Sequence, residues 1–157
     1  MNATSSTAAK MWLLVADQAR ARLFRVDDAN GSLHELQDVI DPEGRARDQD
    51  LVTDRPGRTF DSASHNRHAM EPSTDPVETE TIRFAKRLAA KLEEGRVAGS
   101  YQRLGLVAAP EFLGHLRKSL SKATTRCVAL EVDKDLSRAD ADSLRKRLPD
   151  KLFDELA

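Results

Sequence analysis

The polar segment at residues 41–72 carries the side chains with the clearest capacity for binding. Arg55 and Arg58 flank Pro56-Gly57, a pair that favours a turn, so both guanidinium groups are expected at one loop tip. Guanidinium groups bind phosphate or carboxylate in a two-pronged geometry. The segment has neither helical nor strand periodicity, and a connection of this length is typical of a functional or a disordered loop. The candidate nucleic-acid-binding residues are Arg45, Arg47, Arg55, Arg58, Arg67 and His68.

The same segment also contains acidic residues, which leave a second interpretation open. Asp48, Asp54 and Asp61 could pair with the arginines and tie the loop to itself. Acidic and basic residues are about equally frequent here. The sequence therefore does not decide between anion binding and internal ion pairs.

The sequence gives weaker support for a metal site or a nucleophilic residue. His65 and His68, beside Asp61 and Glu71, could ligate zinc or another transition metal. Structural metal sites usually combine Cys and His at recurring spacings, so histidines that hydrogen-bond within the loop are favoured, and no metal or other cofactor is expected. Cys127 lies in an apolar stretch and is expected to be a core residue in a strand rather than a nucleophile.

Three strands are predicted before the polar segment. Residues 11–16 form an apolar run typical of a buried strand, and residues 20–26 follow after a short turn. Asn30-Gly31 favours a hairpin turn, because both residues tolerate positive φ, and residues 32–40 are the third strand. Tight turns between successive strands predict an antiparallel meander.

Helices and strands alternate after the polar segment. Asp75-Pro76-Val77-Glu78 predicts a helix start, with Asp as the N-cap, Pro at the first helical position and Glu completing a capping box. An apolar stripe continues this helix to Gly95 or Gly99. The remaining predicted elements are a strand at 104–109, a helix from Pro110, a strand at 127–132, and a last helix that is capped by Ser137 and broken at Pro149.

This order of elements predicts the fold class. A meander followed by strands in right-handed crossover connections gives a mixed sheet, and the order β-β-β-α-β-α-β-α is that of the ribonuclease H-like α/β fold. The arginine-rich loop lies between the third strand and the first helix. We expect a flexible N-terminus at residues 1–10 and one domain at residues 11–157.

A nuclease of this fold needs carboxylates that converge on two divalent metal ions. Asp17 follows the first strand, and Glu78 or Glu80 lies early in the first helix. The fourth strand ends at Ala109-Pro110 without a carboxylate, and Glu111 has a simpler role at a helix start. The set of metal-binding carboxylates is incomplete, so metal-dependent hydrolysis is not expected. The protein is expected to be a binding protein rather than an enzyme.

The charge balance and the N-terminal sequence limit the kinds of binding partner and the cellular location that are expected for this protein. Twenty-five basic residues against 26 acidic ones give a net charge of -1, which argues against non-specific coating of nucleic acid. The apolar run near the N-terminus is short and poorly flanked for a signal peptide and too short for a membrane span. The lone cysteine fits a reducing compartment. We expect a cytoplasmic protein without membrane insertion.

Several short motifs carry a family resemblance. They are residues 12–17, 19–22, 50–51, 54–58, 60–62, 67–69, 84–85, 110–117 and 134–136. Together they resemble the bacterial host attachment protein family, which is grouped with bacterial relatives of the archaeal and eukaryotic peptide-release-factor domain. That domain has a ribonuclease H-like core and carries a Gly-Gly-Gln loop where this chain has its polar segment. No Gly-Gly-Gln occurs here, so the resemblance does not imply peptide release.

Three functional hypotheses follow. The first is a non-catalytic, release-factor-like module that presents the arginine-rich loop to the ribosome or to structured RNA. The second is a host attachment protein that acts indirectly, through regulation or non-classical export, and contacts a protein partner. The third is a degenerate hydrolase. The sequence leaves the oligomeric state open.

Overall fold

The computed structural model of the protein describes residues 10–26, 32–41 and 76–149. Its strands are β1 (Met11–Ala16), β2 (Arg20–Val26), β3 (Leu33–Ile40), β4 (Arg103–Ala108) and β5 (Val128–Val132). Its helices are α1 (Pro76–Val97), α2 (Pro110–Ser119), α3 (Lys122–Cys127) and α4 (Ala141–Arg147).

The described strands form one five-stranded mixed sheet in the order β3-β2-β1-β4-β5. β1 pairs with β2 and β2 with β3 in antiparallel register, whereas β4 is parallel to β1 and β5 is parallel to β4. The prediction of a mixed α/β sheet is confirmed, and so is the antiparallel meander. β1 lies at the centre of this sheet.

Both faces of the sheet are covered, which explains why β1 is apolar throughout. Leu14 and Ala16 contribute to a core cluster with Phe84 of α1 and Leu116 of α2. Alternate residues of β1 point to the opposite face, where they meet Leu144 of α4. A strand buried on both faces reads as a continuous apolar run rather than an alternating one.

Helix α1 begins at Pro76, as predicted, while Asp75, the predicted N-cap, lies outside the described residues. Its buried residues follow helical spacing and face the sheet. Gly95 lies within the helix, and Gly99 follows its end with φ of 74°. Glycine adopts this left-handed conformation without steric cost, so Gly99 terminates the helix.

Helix α3 was not predicted, and its presence corrects the assignment of Cys127 to a strand. Cys127 is the last residue of this helix and is partly exposed. Ser121 caps α3 by accepting a hydrogen bond from the Thr124 amide, and the buried Thr124 hydroxyl donates to Glu93 of α1 at 2.7 Å. The Ser121 hydroxyl also donates to Glu93, at 2.8 Å. Arg96 of α1 and the two hydroxyl donors lower the pKa of the Glu93 carboxyl to about 2, so the carboxylate that accepts the hydrogen bonds from α3 is ionised over the whole neutral range.

The predicted cap of the last helix was also wrong. The N-cap of α4 is Asp140, whose side chain accepts a hydrogen bond from the Ser143 amide. Ser137 lies three residues upstream, and its hydroxyl contacts carboxylates instead. The helix ends at Arg147, two residues before Pro149, as expected of a helix interrupted by proline.

Two helical glycines are expected to respond to alanine in opposite ways. A Cβ atom at Gly95 would lie 2.5 Å from Trp12, whose ring packs on Tyr101, whereas a Cβ at Gly114 meets no described atom within 4 Å. Gly114→Ala should raise the free energy of unfolding by roughly 0.5–1 kcal/mol through helix propensity. Gly95→Ala should lower the free energy of unfolding by roughly 1–2 kcal/mol, because overpacking against Trp12 costs more than the gain in helix propensity. Urea denaturation measures both, and stabilisation by both substitutions would contradict the packing described around Trp12.

Candidate functional site

A cleft lies at the edge of the sheet where the parallel strands β1 and β4 end. Ala16 pairs with Ala108 at the ends of these strands, so the residues that follow each of them meet at one edge. In the sheet, β1 has β2 as its neighbour on one side and β4 on the other, so the strand order reverses direction at β1. Open α/β sheets form binding crevices at such a switch point, outside the carboxyl ends of the strands. The cleft has a volume of about 140 Å³ and is lined by Asp17, Gln18, Thr81, Ala109, Glu111, Phe112 and Asp135.

Asp17 organises the turn between β1 and β2. Its Oδ1 accepts hydrogen bonds from the amides of Ala19 and Arg20 at 2.7 and 2.8 Å, and its Oδ2 accepts one from the Ser137 hydroxyl at 2.7 Å. The Asp17 amide donates to the Arg20 carbonyl and completes the turn. These donors occupy most of the acceptor capacity of the carboxylate, so Asp17 has a structural role at the rim of the cleft.

Ser137 joins the end of β1 to the turn that follows β5. It is fully buried, and its Oγ lies 2.7 Å from Asp17 Oδ2 and 2.7 Å from Asp135 Oδ1. A hydroxyl carries one proton, so it donates to one of these carboxylates at a time. The contact brings Asp135 to the cleft beside Asp17, although the two are far apart in sequence.

Arg22 of β2 holds the turn that follows β5 through hydrogen bonds to its backbone. Its side chain is largely buried, its Cζ lies 5.0 Å from the centre of the Phe24 ring, and it forms a two-pronged pair with Glu35. Its Nη1 donates to the carbonyls of Ser137 and Ala139. The backbone that carries Ser137 is therefore held by an arginine of the central part of the sheet.

Described residues on either side of the segment at 42–75 lie near this cleft. Asp41, buried beside Arg87, donates its amide to the Ala19 carbonyl next to the Asp17 turn. At the other end, Thr81 lines the cleft one turn into α1 and donates its hydroxyl to the Val77 carbonyl. Asp41 and Thr81, on either side of this segment, thus lie near the carboxyl edge of the sheet.

The predicted binding residues lie in that segment and therefore outside the described residues. This applies to Arg45, Arg47, Arg55, Arg58, Arg67 and His68, and equally to the metal-ligand candidates His65, Asp61 and Glu71.

Of the predicted metal-binding carboxylates, Asp17 and Glu111 line the cleft, whereas the lining does not include Glu78 or Glu80. Glu80 is buried with its Oε1 3.7 Å from Arg83 Nη1. Within residues 10–26, 32–41 and 76–149, no three Asp, Glu, His or Cys side chains are grouped so that they could hold a metal ion.

Sequence reasoning missed several cleft residues. Gln18 and Thr81 have no motif of their own, and Asp135 entered only as part of a resemblance. Ser137 was assigned to a helix cap. Its pairing with Asp17 depends on the crossover connection and has no local signal.

Comparison with known proteins identifies the family. Residues 12–148 match the family described as "protein required for attachment to host cells". The chain belongs to this host attachment family. The match includes every described strand except the first residue of β1, and it confirms the resemblance to host attachment proteins. It does not test the predicted relationship of the host attachment family to release factors.

Other comparisons add little about this member of the host attachment family. No curated protein matches its sequence. One solved structure it resembles is an Aquifex aeolicus Ppx/GppA phosphatase, a type II variant, with 15% identity and a TM-score of 0.34. The match covers 79% of this chain but only 35% of that chain, and at this score it supports no conclusion about function.

Membrane insertion through a helix has no support in the part of the chain that the structure describes. None of the helices there combines the length and the apolar character that a membrane span requires.

Proposed function

We propose that this protein acts in host attachment as a binding protein, through a protein partner that docks at the carboxyl edge of the sheet. Membership of the host attachment family carries the proposal, because the match extends over residues 12–148. The second hypothesis from the sequence thereby becomes the first. We propose an indirect role, in which the protein binds a component that other proteins need for attachment.

The chemistry of the cleft supports a basic partner. Asp17, Glu111 and Asp135 contribute three carboxylates, and no Lys or Arg is among the described residues that line the cleft. Opposite charge favours encounter and register between two proteins, whereas like charges in contact are costly. A Lys or Arg side chain on an exposed loop of the partner matches this cleft in sign and in size.

Genetic complementation tests the role in attachment. A strain that lacks the gene should attach poorly to host cells, and the full chain expressed from a plasmid should restore attachment. Normal attachment by the deletion strain would rule out the proposal. A growth curve separates a specific defect from slow growth.

A second candidate function is binding of the ribosome or structured RNA by the arginine-bearing segment. Its support is that the segment carries five arginines and that described residues on either side of it lie near the cleft: Asp41 donates to the Ala19 carbonyl, and Thr81 lines the cleft. The observed strand order and the antiparallel meander also support the proposal of a ribonuclease H-like, release-factor-related domain. A single domain over residues 11–157 and a cytoplasmic location belong to the same proposal, and the free Cys127 is compatible with that location.

Substitution of the arginines tests whether they bind phosphate groups of RNA. If Arg55, Arg58 and Arg67 contact phosphates, replacing all three with alanine should weaken ribosome co-sedimentation and make its salt dependence shallower. The slope should fall by roughly one unit for each lost phosphate contact, because each contact releases counterions. Binding is measured at several salt concentrations.

The matched control removes three charges elsewhere. Arg25, Lys86 and Arg126 are exposed residues outside the cleft, with no ion pair among the described residues. Equal loss of binding in both triple variants would show that bulk charge matters rather than the segment. A much lower melting temperature of the loop variant alone would show that its arginines pair with neighbouring aspartates instead.

The third hypothesis, a degenerate hydrolase, has the weakest support. Asp17 is engaged by three donors, and the described residues hold no metal-binding group of carboxylates.

A further inference from the structure

A second concave surface lies between the turn that follows β5 and the helix α4. We call it the α4 groove; it has a volume of about 390 Å³ and is lined by Asp135, Leu136, Arg138, Ala139, Asp140, Ser143 and Arg147. This volume lies within the range of small-molecule sites, which is roughly 300–1,000 Å³. The family match does not assign a role to it.

The wall of the groove is held in place by the rest of the fold. Leu136 is buried beneath it, and Ala139 donates its amide to the Leu136 carbonyl to form a turn. Arg22 donates to the carbonyls of Ser137 and Ala139, and Ser137 is bound to Asp17. A ligand would therefore meet a preformed surface, which lowers the entropic cost of binding.

Two arginines in this groove are available to a ligand. Arg138 and Arg147 are exposed, and neither forms an ion pair with a described residue. This distinguishes them from Arg20, Arg22 and Arg117, whose guanidinium groups bind Asp38, Glu35 and Glu131. An unpaired guanidinium presents donors in a geometry that matches a carboxylate.

Two carboxylates face the same groove, each with one oxygen committed to the protein. Asp135 Oδ1 contacts the Ser137 amide and hydroxyl, and Asp140 Oδ1 accepts a hydrogen bond from the Ser143 amide. That amide is the main reason why the pKa of Asp140 is lowered, so this side chain is ionised at neutral pH. The second oxygen of each carboxylate remains available as an acceptor.

The charges of the lining residues decide the class of ligand. A polyanion would meet Asp135 and Asp140, and a simple cation would meet Arg138 and Arg147. A molecule that carries both charges avoids either conflict. We propose that the α4 groove binds a small zwitterion of the amino-acid class, with its carboxylate on the two arginines and its ammonium group on the two aspartates.

The experiment uses the full chain and a panel of free α-amino acids, each compared with two blocked derivatives. N-acetylation removes the positive charge of the ligand, and amidation of the carboxylate removes the negative one. At least one free amino acid should shift the NMR amide signals of Leu136, Ala139 and Ser143 with a Kd of about 1 mM or tighter. Both blocked forms should bind roughly tenfold more weakly or worse, since each loses a charge-assisted contact.

Variants locate the binding and separate it from the cleft. Arg138→Ala and Arg147→Ala should each weaken binding roughly tenfold, while the exposed Arg126→Ala, which removes the same charge on α3, should not. Arg138 and Arg147 do not line the cleft, so failure here leaves the attachment proposal standing. No binding of any amino acid at about 10 mM would overturn the inference. Equal binding of the N-acetylated form, or signal shifts outside the groove, would overturn it as well.

Discussion

Replacing Asp17 with alanine is expected to lower the free energy of unfolding by about 3 kcal/mol, measured by urea denaturation. The carboxylate accepts hydrogen bonds from the Ala19 and Arg20 amides and from the buried Ser137 hydroxyl. Alanine leaves two amides of a tight turn without an acceptor and releases the turn that carries Ser137. Hydrogen bonds to a charged group contribute about 1.5–3 kcal/mol each, and the partial exposure of this turn reduces their sum.

Asp17→Asn is the matched control and should cost about 1 kcal/mol or less. The Asn carbonyl oxygen can accept from both amides, and its amide nitrogen can donate to Ser137 Oγ, whose proton then goes to Asp135. A loss as large as that of the alanine variant would show that the negative charge of Asp17, rather than its hydrogen-bond geometry, stabilises the protein. An alanine variant as stable as the wild type would contradict the structural role.

Arg22→Leu is expected to lower the free energy of unfolding by about 3 kcal/mol. Leucine removes the guanidinium group from the Phe24 ring and leaves the carbonyls of Ser137 and Ala139 without their donor, and Glu35 loses its ion-pair partner. Removing one partner from a largely buried charged network typically costs about 3–5 kcal/mol, and the partial exposure of Glu35 places this case at the low end. Thermal or urea unfolding measures the loss.

The control for Arg22 lies on the same strand. Arg25 is exposed, and Arg25→Leu removes the same charge, so it should change stability by less than about 0.5 kcal/mol. Hydrogen exchange adds a local readout, because the Ala139 amide in the turn should exchange faster in Arg22→Leu than in Arg25→Leu. Similar unfolding curves for the two variants would contradict the account of Arg22.

The sequence predicted the strands well because their signals are local. β1 is a continuous apolar run, and the turn after it begins with Asp17, whose side chain binds the backbone two and three residues on. The position of Asp17 and Glu111 at one edge followed from the parallel pairing of β1 with β4. These features depend on periodicity and on the geometry of parallel strands.

The errors came from contacts between residues far apart in the sequence. Helix α3 contains two β-branched threonines and has no apolar stripe, but Glu93, 31 residues before Thr124, accepts a hydrogen bond from its hydroxyl. Ser137 matched a capping pattern, yet its hydroxyl binds Asp17, 120 residues away. Local propensity carries no information about such partners. Asp135 escaped notice as a cleft residue for the same reason.

One measurement tests most directly whether the cleft carries the attachment function. Glu111→Lys reverses a cleft charge at the first turn of α2, and Glu94→Lys makes the same change on the exposed surface of α1 outside the cleft. Both variants should fold, since a reversed charge at a helix end costs only about 0.3–1 kcal/mol. In the complemented deletion strain, at equal protein levels, Glu111→Lys should reduce attachment to the level of the deletion strain, while Glu94→Lys should restore it. Full attachment with Glu111→Lys would contradict the assignment of the function to the cleft.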